Sequence, residues 1–314
     1  MTQGSRPGVP RRIVVAGVVS AVLSTTGCGI RLEDDAPRLP LLPTRTPVPA
    51  EAELVALTRA TAALAALAAT VPGALEADLA TLHQRQHGVL GTTLLAQGVP
   101  ATDLEAPPTG PPTPSASASP ASPPAARRAA LASAEGGSAA SAATFAGVAD
   151  DLRATIASLH AQRYAAATLL AGRPPTVPLG PVGGDRVGAL ASETAAAVYF
   201  LEVVSARSTG EQRSRSDSSL AALGALLADQ LAGGARPDTS LGHPLPFPVG
   251  DAAAAARLAR DTLTTLRAGY GEHLAPLVAS DGGPGLAALT RWLGTVEVES
   301  HRWGVALEPF PGLG

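Results

Sequence analysis

The stretch DRVGALASETAAAVYFLEVVSAR, Asp185 to Arg207, sets the terms for the whole chain, because it places two glutamates and a tyrosine inside an otherwise apolar helical pattern. Val187, Leu190, Thr194, Ala197, Leu201 and Val204 recur at three- and four-residue steps, which is one face of a helix packed against neighbours. Glu193 lies beside that stripe. A carboxylate in such a place needs a cationic partner, a metal or a proton, since burying it alone costs several kcal/mol.

The rest of the 314-residue chain fits helices better than strands. Hydrophobic residues make up 46% of it and aromatic ones only 3%, so the apolar content is mostly Ala and Leu, and the β-branched and aromatic strand formers are scarce. An all-α fold follows, with helices brought close together by small side chains. All 23 basic residues are Arg. Without lysine the chain has no Walker-type phosphate lysine and no Schiff base. A net charge of -3 and the absence of a basic stripe with interleaved aromatics argue against a nucleic-acid partner. The single cysteine, Cys28, rules out intrachain disulfides and cysteine zinc sites.

Arg6, Arg11 and Arg12 precede an apolar run from Ile13 to Leu23, followed by Ser24, Thr25, Thr26, Gly27 and Cys28. This is the pattern of a signal peptide, too short to serve as a stable transmembrane helix. The cysteine directly after a small glycine resembles the lipobox of bacterial lipoproteins, in which that cysteine is acylated and becomes the mature N-terminus. Thr25 stands where the motif usually has Leu, Val or Ile. The expected location is therefore extracytoplasmic, held to the membrane by lipid on Cys28, or secreted if Cys28 is not lipidated. The Arg11-Arg12 pair leaves Sec and twin-arginine export both open. Residues 29–50 are too rich in proline for a helix and read as a tether.

Helices are expected over Glu51 to Val71 and Ala74 to Gln97, as a hairpin turned at Pro72-Gly73. From Glu105 to about Ser141 the sequence is Pro, Ser, Ala, Thr and Gly, which reads as a disordered insertion with little to bury. A third helix is expected from Ala142 to Leu170, then a Pro/Gly linker to Gly184 with Asp185 as N-cap. The linker's GPVGGDRVG follows no strand, so it is a loop and helix start, not a phosphate loop. Further helices are expected over Glu211 to Leu231, Asp251 to about Ala279, and Pro284 to Leu307, with HPLPFPVGD crossing stiffly between the first two and Asp251 as N-cap. With Asp185 to Arg207 these make a four-helix bundle over residues 185–310, beside an N-terminal helical region over 51–172.

The runs ASETAAAVYFLEVVSAR, PLPFPVGDAAAAARLA and RWLGTVEVESHRW, with the closing FPGL, resemble a ferritin-like domain of unknown function found in secreted proteins and lipoproteins of high-GC Gram-positive bacteria. The opening CGIRLEDDAPRLPLLPTR resembles the lipoprotein form of the same family. The resemblance implies a ferritin-like four-helix fold and carries no established activity. Relatives often have Glu-His where this chain has Glu193-Thr194.

A di-iron centre in such a bundle needs a Glu from each of two helices and Glu-x-x-His from each of the other two. The chain has no Glu-x-x-His. Its nearest set is Glu193, Glu202, Glu297 and His301, a metal or polar core site for which iron, manganese or zinc would be the ion, with Glu272, His273 and Glu299 nearby in sequence. Glu297 and His301 share a helix face at four residues' spacing. Structural pairing of these carboxylates with arginine is the simpler expectation, and no cofactor is then needed. His83 and His87, also four apart, are a second, weaker metal candidate. Zincin chemistry would require Glu where Gln84 stands, so a polar helix face is the expected role. His160 and His243 stand alone and are expected to be ordinary. Tyr199, Glu193 and Trp303 could line a pocket for a small molecule. Trp292 and Trp303 share one helix and are expected in the core. The reading is a non-enzymatic binding or scaffolding module at the cell envelope, with an envelope protein or a small molecule as partner. The alternatives are a metal-binding bundle of oxidase or storage type, and small-molecule binding between the helices.

Overall fold

The computed structural model describes residues 45–105, 122–237 and 242–314. The expected signal peptide, Cys28, most of the expected tether and residues 106–121 of the proline-rich stretch lie outside the described residues. Among the described residues every regular element is helical: α1 (Glu51–Ala69), α2 (Ala74–Ala96), α3 (Ala101–Glu105), α4 (Pro124–Ala140), α5 (Arg153–Ala171), α6 (Asp185–Ala206), α7 (Gly210–Ala232) and α8 (Ala252–Arg302).

The middle of the fold is α5. Every residue from Ile156 to Thr168 is buried, polar ones included, so this helix is enclosed on all sides and does not lie on a surface. Its alanines make that enclosure possible. Ala157, Ala161, Ala165 and Ala166 have no exposed surface and let neighbouring helices approach closely. Gly294 of α8 sits where an added Cβ would meet Tyr164 Cδ1 at 2.6 Å and Ala161 O at 2.9 Å, so α8 crosses α5 nearly backbone to backbone. Beside this pair α4 packs on α5, α1 packs with α2, and α6 packs with α7, both of the last two also contacting α8.

One principal core joins the two halves of the sequence. Leu54, Leu90, Ile156 and Leu159 from the N-terminal half pack in the same cluster as Leu190, Leu223, Leu258, Leu289 and Trp292. The N-terminal helices and the C-terminal region are therefore built together, within the unit Arg45–Gly314. A smaller cluster, with Leu64, Leu79, Leu131 and Leu170, closes the end where α1, α2, α4 and α5 meet.

Several expectations need correction. The second half of the supposed disordered insertion is the helix α4, which opens at Pro124 in the first turn and buries Leu131, Glu135 and Ala139. These sit four residues apart on one face, and covering that face offsets the poor helix propensity of Gly136 and Gly137 between them. The third helix begins late: residues 142–152 form two short 3-10 turns, and α5 starts at Arg153. Gly184, not Asp185, precedes the first turn of α6. The last two expected helices run on as α8, broken at Gly282, where φ 55° and ψ -125° interrupt the helix just before Pro284. Asp251 does cap it, with Oδ1 accepting from Ala254 N at 2.8 Å. The described end of the tether is anchored: Arg45 pairs with Glu51 at 2.5 Å and Val48 N donates to the same carboxylate at 2.8 Å. α1 and α6 are each long and apolar enough to cross a membrane, and in this fold each buries one face against other helices.

Candidate functional site

Where α1, α2, α4 and α5 converge, the fold encloses a charged cluster. His83 of α2, Glu135 of α4 and Arg163 of α5 are all fully buried. His83 Nε2 lies 2.6 Å from Glu135 Oε1, and the Arg163 guanidinium reaches both His83 Nδ1 and Glu135 Oε2, the latter at 3.4 Å. With its proton on Nε2 the ring donates to Glu135 and accepts from Arg163, bridging anion and cation. Arg163 Nη2 also donates to Thr61 Oγ1 at 3.1 Å. Gln86 extends the network, with Nε2 donating to Gln162 Oε1 at 3.2 Å and to Pro309 O at 2.5 Å, so the C-terminal segment is tied into it. Burial acts to raise the Glu135 pKa, but His83 and Arg163 outweigh it and hold the carboxyl below its ordinary range. Burial likewise lowers the pKa of Arg163, against the opposing pull of Glu135.

Near this cluster His160 is enclosed, its Nδ1 3.0 Å from Ser138 O and its ring against Phe145. Burial, reinforced by the Arg163 charge, depresses its pKa to about 3. Glu76, also buried, pairs with Arg128 of α4 at 2.5 Å.

The C-terminal region holds its own polar core. Glu297 is fully buried on α8 and meets Arg267 of the same helix, across the break, at 2.9 Å; its other oxygen accepts from Glu308 N at 2.8 Å. Arg267 turns its second nitrogen to Glu308 Oε1 at 2.6 Å. Burial raises the pKa of Glu297 while Arg267 and the Glu308 N–H oppose the rise. Glu299 is arranged in the same way, taking Ser219 Oγ at 2.8 Å and Arg302 Nη1 at 2.7 Å. Deeper still, Gln230 donates to Tyr270 Oη at 2.7 Å, Tyr270 lies 2.9 Å from Thr194 Oγ1, and Thr194 donates on to Leu190 O. This chain of hydroxyls locks α6, α7 and α8 together.

The four residues of the expected metal or polar core site are not brought into one cluster. Glu193 is half-buried on α6 and faces His273 Nε2 at 3.3 Å; burial raises its pKa, against His273. Glu202 is exposed. Glu297 takes Arg267, and His301 sits half-buried with its pKa lowered by burial and raised in part by Asp78 of α2. Glu297 and His301 are four apart, yet Arg267 takes the carboxylate. Among the described residues no group of three or more His, Cys, Asp or Glu is arranged to hold a metal ion. The expectation of a polar helix face for His83 and His87 is also corrected: His83 points into the protein interior, while His87 Nδ1 reaches Thr58 O at 3.2 Å. His160 is not an ordinary histidine, being enclosed with Nε2 unpaired.

Tyr199 meets Phe200 and His243 edge-on, 5.7 and 5.5 Å between ring centres, whereas Trp303 is buried with its Nε1–H on Ser219 and Arg215 over its ring. Tyr199 and Trp303 thus have different ring partners. Reading the sequence missed Glu135 and Arg163, the two charges of the buried cluster. The i, i+4 spacing of Leu131, Glu135 and Ala139 was the available signal.

Residues 186–314 match the family model of a domain of unknown function (DUF4439). No curated protein matches the chain, and neither does any solved structure.

Proposed function

We propose that this protein is a non-enzymatic binding module of the cell envelope, lipid-anchored through Cys28, in which a ferritin-like bundle uses arginine where a metal-binding relative would use cations. The observation that carries this reading is Arg267, whose guanidinium joins the fully buried carboxylate of Glu297 to the partly exposed one of Glu308 in the segment after α8. A carboxylate so paired has its charge met by the guanidinium and its lone pairs taken by N–H donors, which leaves none for a metal ion. Glu299 with Arg302, Glu76 with Arg128 and Glu135 with Arg163 repeat the arrangement. The signal-peptide pattern and Gly27-Cys28 support the location.

The test is the response of the folded protein to metals. A ligand that binds the native state raises the melting temperature, and on this reading iron(II), manganese(II) and zinc leave it unmoved. A metal-dependent rise would make the metal-binding bundle the better reading. For the anchor, Cys28→Ala is expected to abolish acylation and release the protein from the membrane fraction; retention of the variant would remove the lipid anchor from the account.

A further inference from the structure

The segment that follows α8 is held to the fold by the side chains of other elements. It leaves the helix through a turn at Gly304, φ 82°, and of residues 304–314 only Pro311 is buried. Among the described residues no backbone–backbone hydrogen bond joins it to a helix past Val305, and the bond from Leu313 N to Phe310 O is internal to it. Buried donors on three helices take its carbonyls instead. Arg267 Nη1 of α8 donates to Ala306 O at 3.1 Å, Gln86 Nε2 of α2 to Pro309 O at 2.5 Å, and Ser158 Oγ of α5 to Pro311 O at 2.7 Å.

The remaining contacts are as specific. Glu308 offers its carboxylate to Arg267 Nη2 at 2.6 Å and its N–H to Glu297 Oε1 at 2.8 Å. Leu307 packs on the smaller core cluster and Phe310 on the principal one, so the segment spans both. At its far end main chain lies on main chain, because a Cβ added to Gly271 of α8 would run into Gly312 O. Gly312 itself has φ 81°, a conformation that favours glycine. These are the parts by which a groove reads a peptide laid into it: donors for carbonyls, apolar seats for two side chains, and one charge to fix the register. Proline suits such a peptide, since its fixed φ lowers the entropy lost on binding and its missing N–H needs no partner.

We propose that this groove between α2, α5 and α8 is a peptide-binding site held closed in cis by residues 305–312, and that its partner in trans is a proline-rich peptide carrying an acidic residue before Pro-aromatic-Pro. A resident copy on a short linker stands at an effective concentration of roughly millimolar, so a partner binds strongly only when that copy is loosened. The proposal rests on the binding-module reading and names the partner class for it.

The probe is a fluorescein-labelled peptide, VALEPFPGLG, copying residues 305–314, titrated by fluorescence polarisation against the full chain in detergent. Glu308→Ala in the chain loosens the resident segment and leaves Arg267 paired with Glu297. This variant is expected to bind the probe saturably and roughly tenfold more tightly than the wild type does, because its own segment lacks a charge-assisted bond that the probe still makes. Gly312→Ala, strained at its φ, is a second route to the same result. Adding Gly271→Ala, which suits the helix and obstructs the groove, should abolish binding while helix content by circular dichroism stays unchanged. No saturable binding by either loosened chain, equal binding of a scrambled peptide, or binding that survives Gly271→Ala overturns the site. A loosened chain that dimerises and gains no affinity for the probe overturns the trans partner in favour of exchange between two copies. A folded, metal-free chain that ignores the probe loses this site alone, whereas stoichiometric metal strikes the binding-module reading itself.

Discussion

Arg267 Nη1 lies 2.9 Å from Glu297 Oε2 although thirty residues separate them on α8, because the break at Gly282 folds the two halves of that helix against each other. An ion pair in such a place is governed by what its loss leaves behind. Replacing Arg267 with Met strands a fully buried carboxylate, and the expected cost is about 3–5 kcal/mol, read from denaturant midpoints. Arg267→Met combined with Glu297→Leu should recover most of it, because two apolar side chains no longer need each other's charge.

The enclosed His160 makes stability depend on pH in a defined window. Its pKa falls from an ordinary 6.5 to about 3, so the unfolded chain takes up the proton first. Its contribution is present in full above pH 6.5 and lost as pH falls toward 3, with a slope of about 1.4 kcal/mol per pH unit. Glu297 and Glu299 act in the opposite sense: their pKa values are raised, so their contribution is present below the ordinary carboxylate range and lost as pH rises through the folded values. Subtracting the stability profile of His160→Gln from that of the wild type should isolate the acid-side slope. An unchanged profile would mean that His160 takes up its proton as readily in the fold as in the unfolded chain.

Close crossing of α5 and α8 depends on Gly294. A methyl there meets Tyr164 and the Ala161 carbonyl, neither of which is a free side-chain end. Gly294→Ala should destabilise by about 1–3 kcal/mol through overpacking, and Gly294→Val by more, measured by thermal or chemical unfolding.

Tyr270→Phe removes the middle of the hydroxyl chain and leaves Gln230 Nε2 buried without its acceptor. The expected loss is about 1–3 kcal/mol. Because the chain links three helices, hydrogen exchange should quicken in α6 and α7 as well as in α8.

The helices themselves were legible in the sequence because leucine and alanine fall at three- and four-residue steps, and proline and glycine mark the ends. The exception, α4, shows the limit of that signal. Its apolar face holds one leucine, a glutamate and an alanine, and it is stable as a helix only because α5 and α1 cover that face, a tertiary fact. The charged cluster was hidden for the same reason: Glu135 lies in a Ser/Ala/Gly run and Arg163 in a stripe of alanines, and nothing local says that they meet over His83. Glu193 and Glu297 were noticed as unusual carboxylates, and their partners His273 and Arg267 come from turns of α8 whose facing is set by the break at Gly282. The joint core of the two halves follows from the burial of α5 on every side, which its alternation of Ala with polar residues does not announce.

The most direct test of the account is elemental analysis of the full chain purified in detergent after exposure to iron, manganese and zinc, beside the Glu193→Ala/Glu297→Ala double variant. Arginine-neutralised carboxylates predict a folded wild-type protein with no stoichiometric metal. One or two metal ions per chain, absent from the double variant, would contradict the account and make the bundle a metal centre.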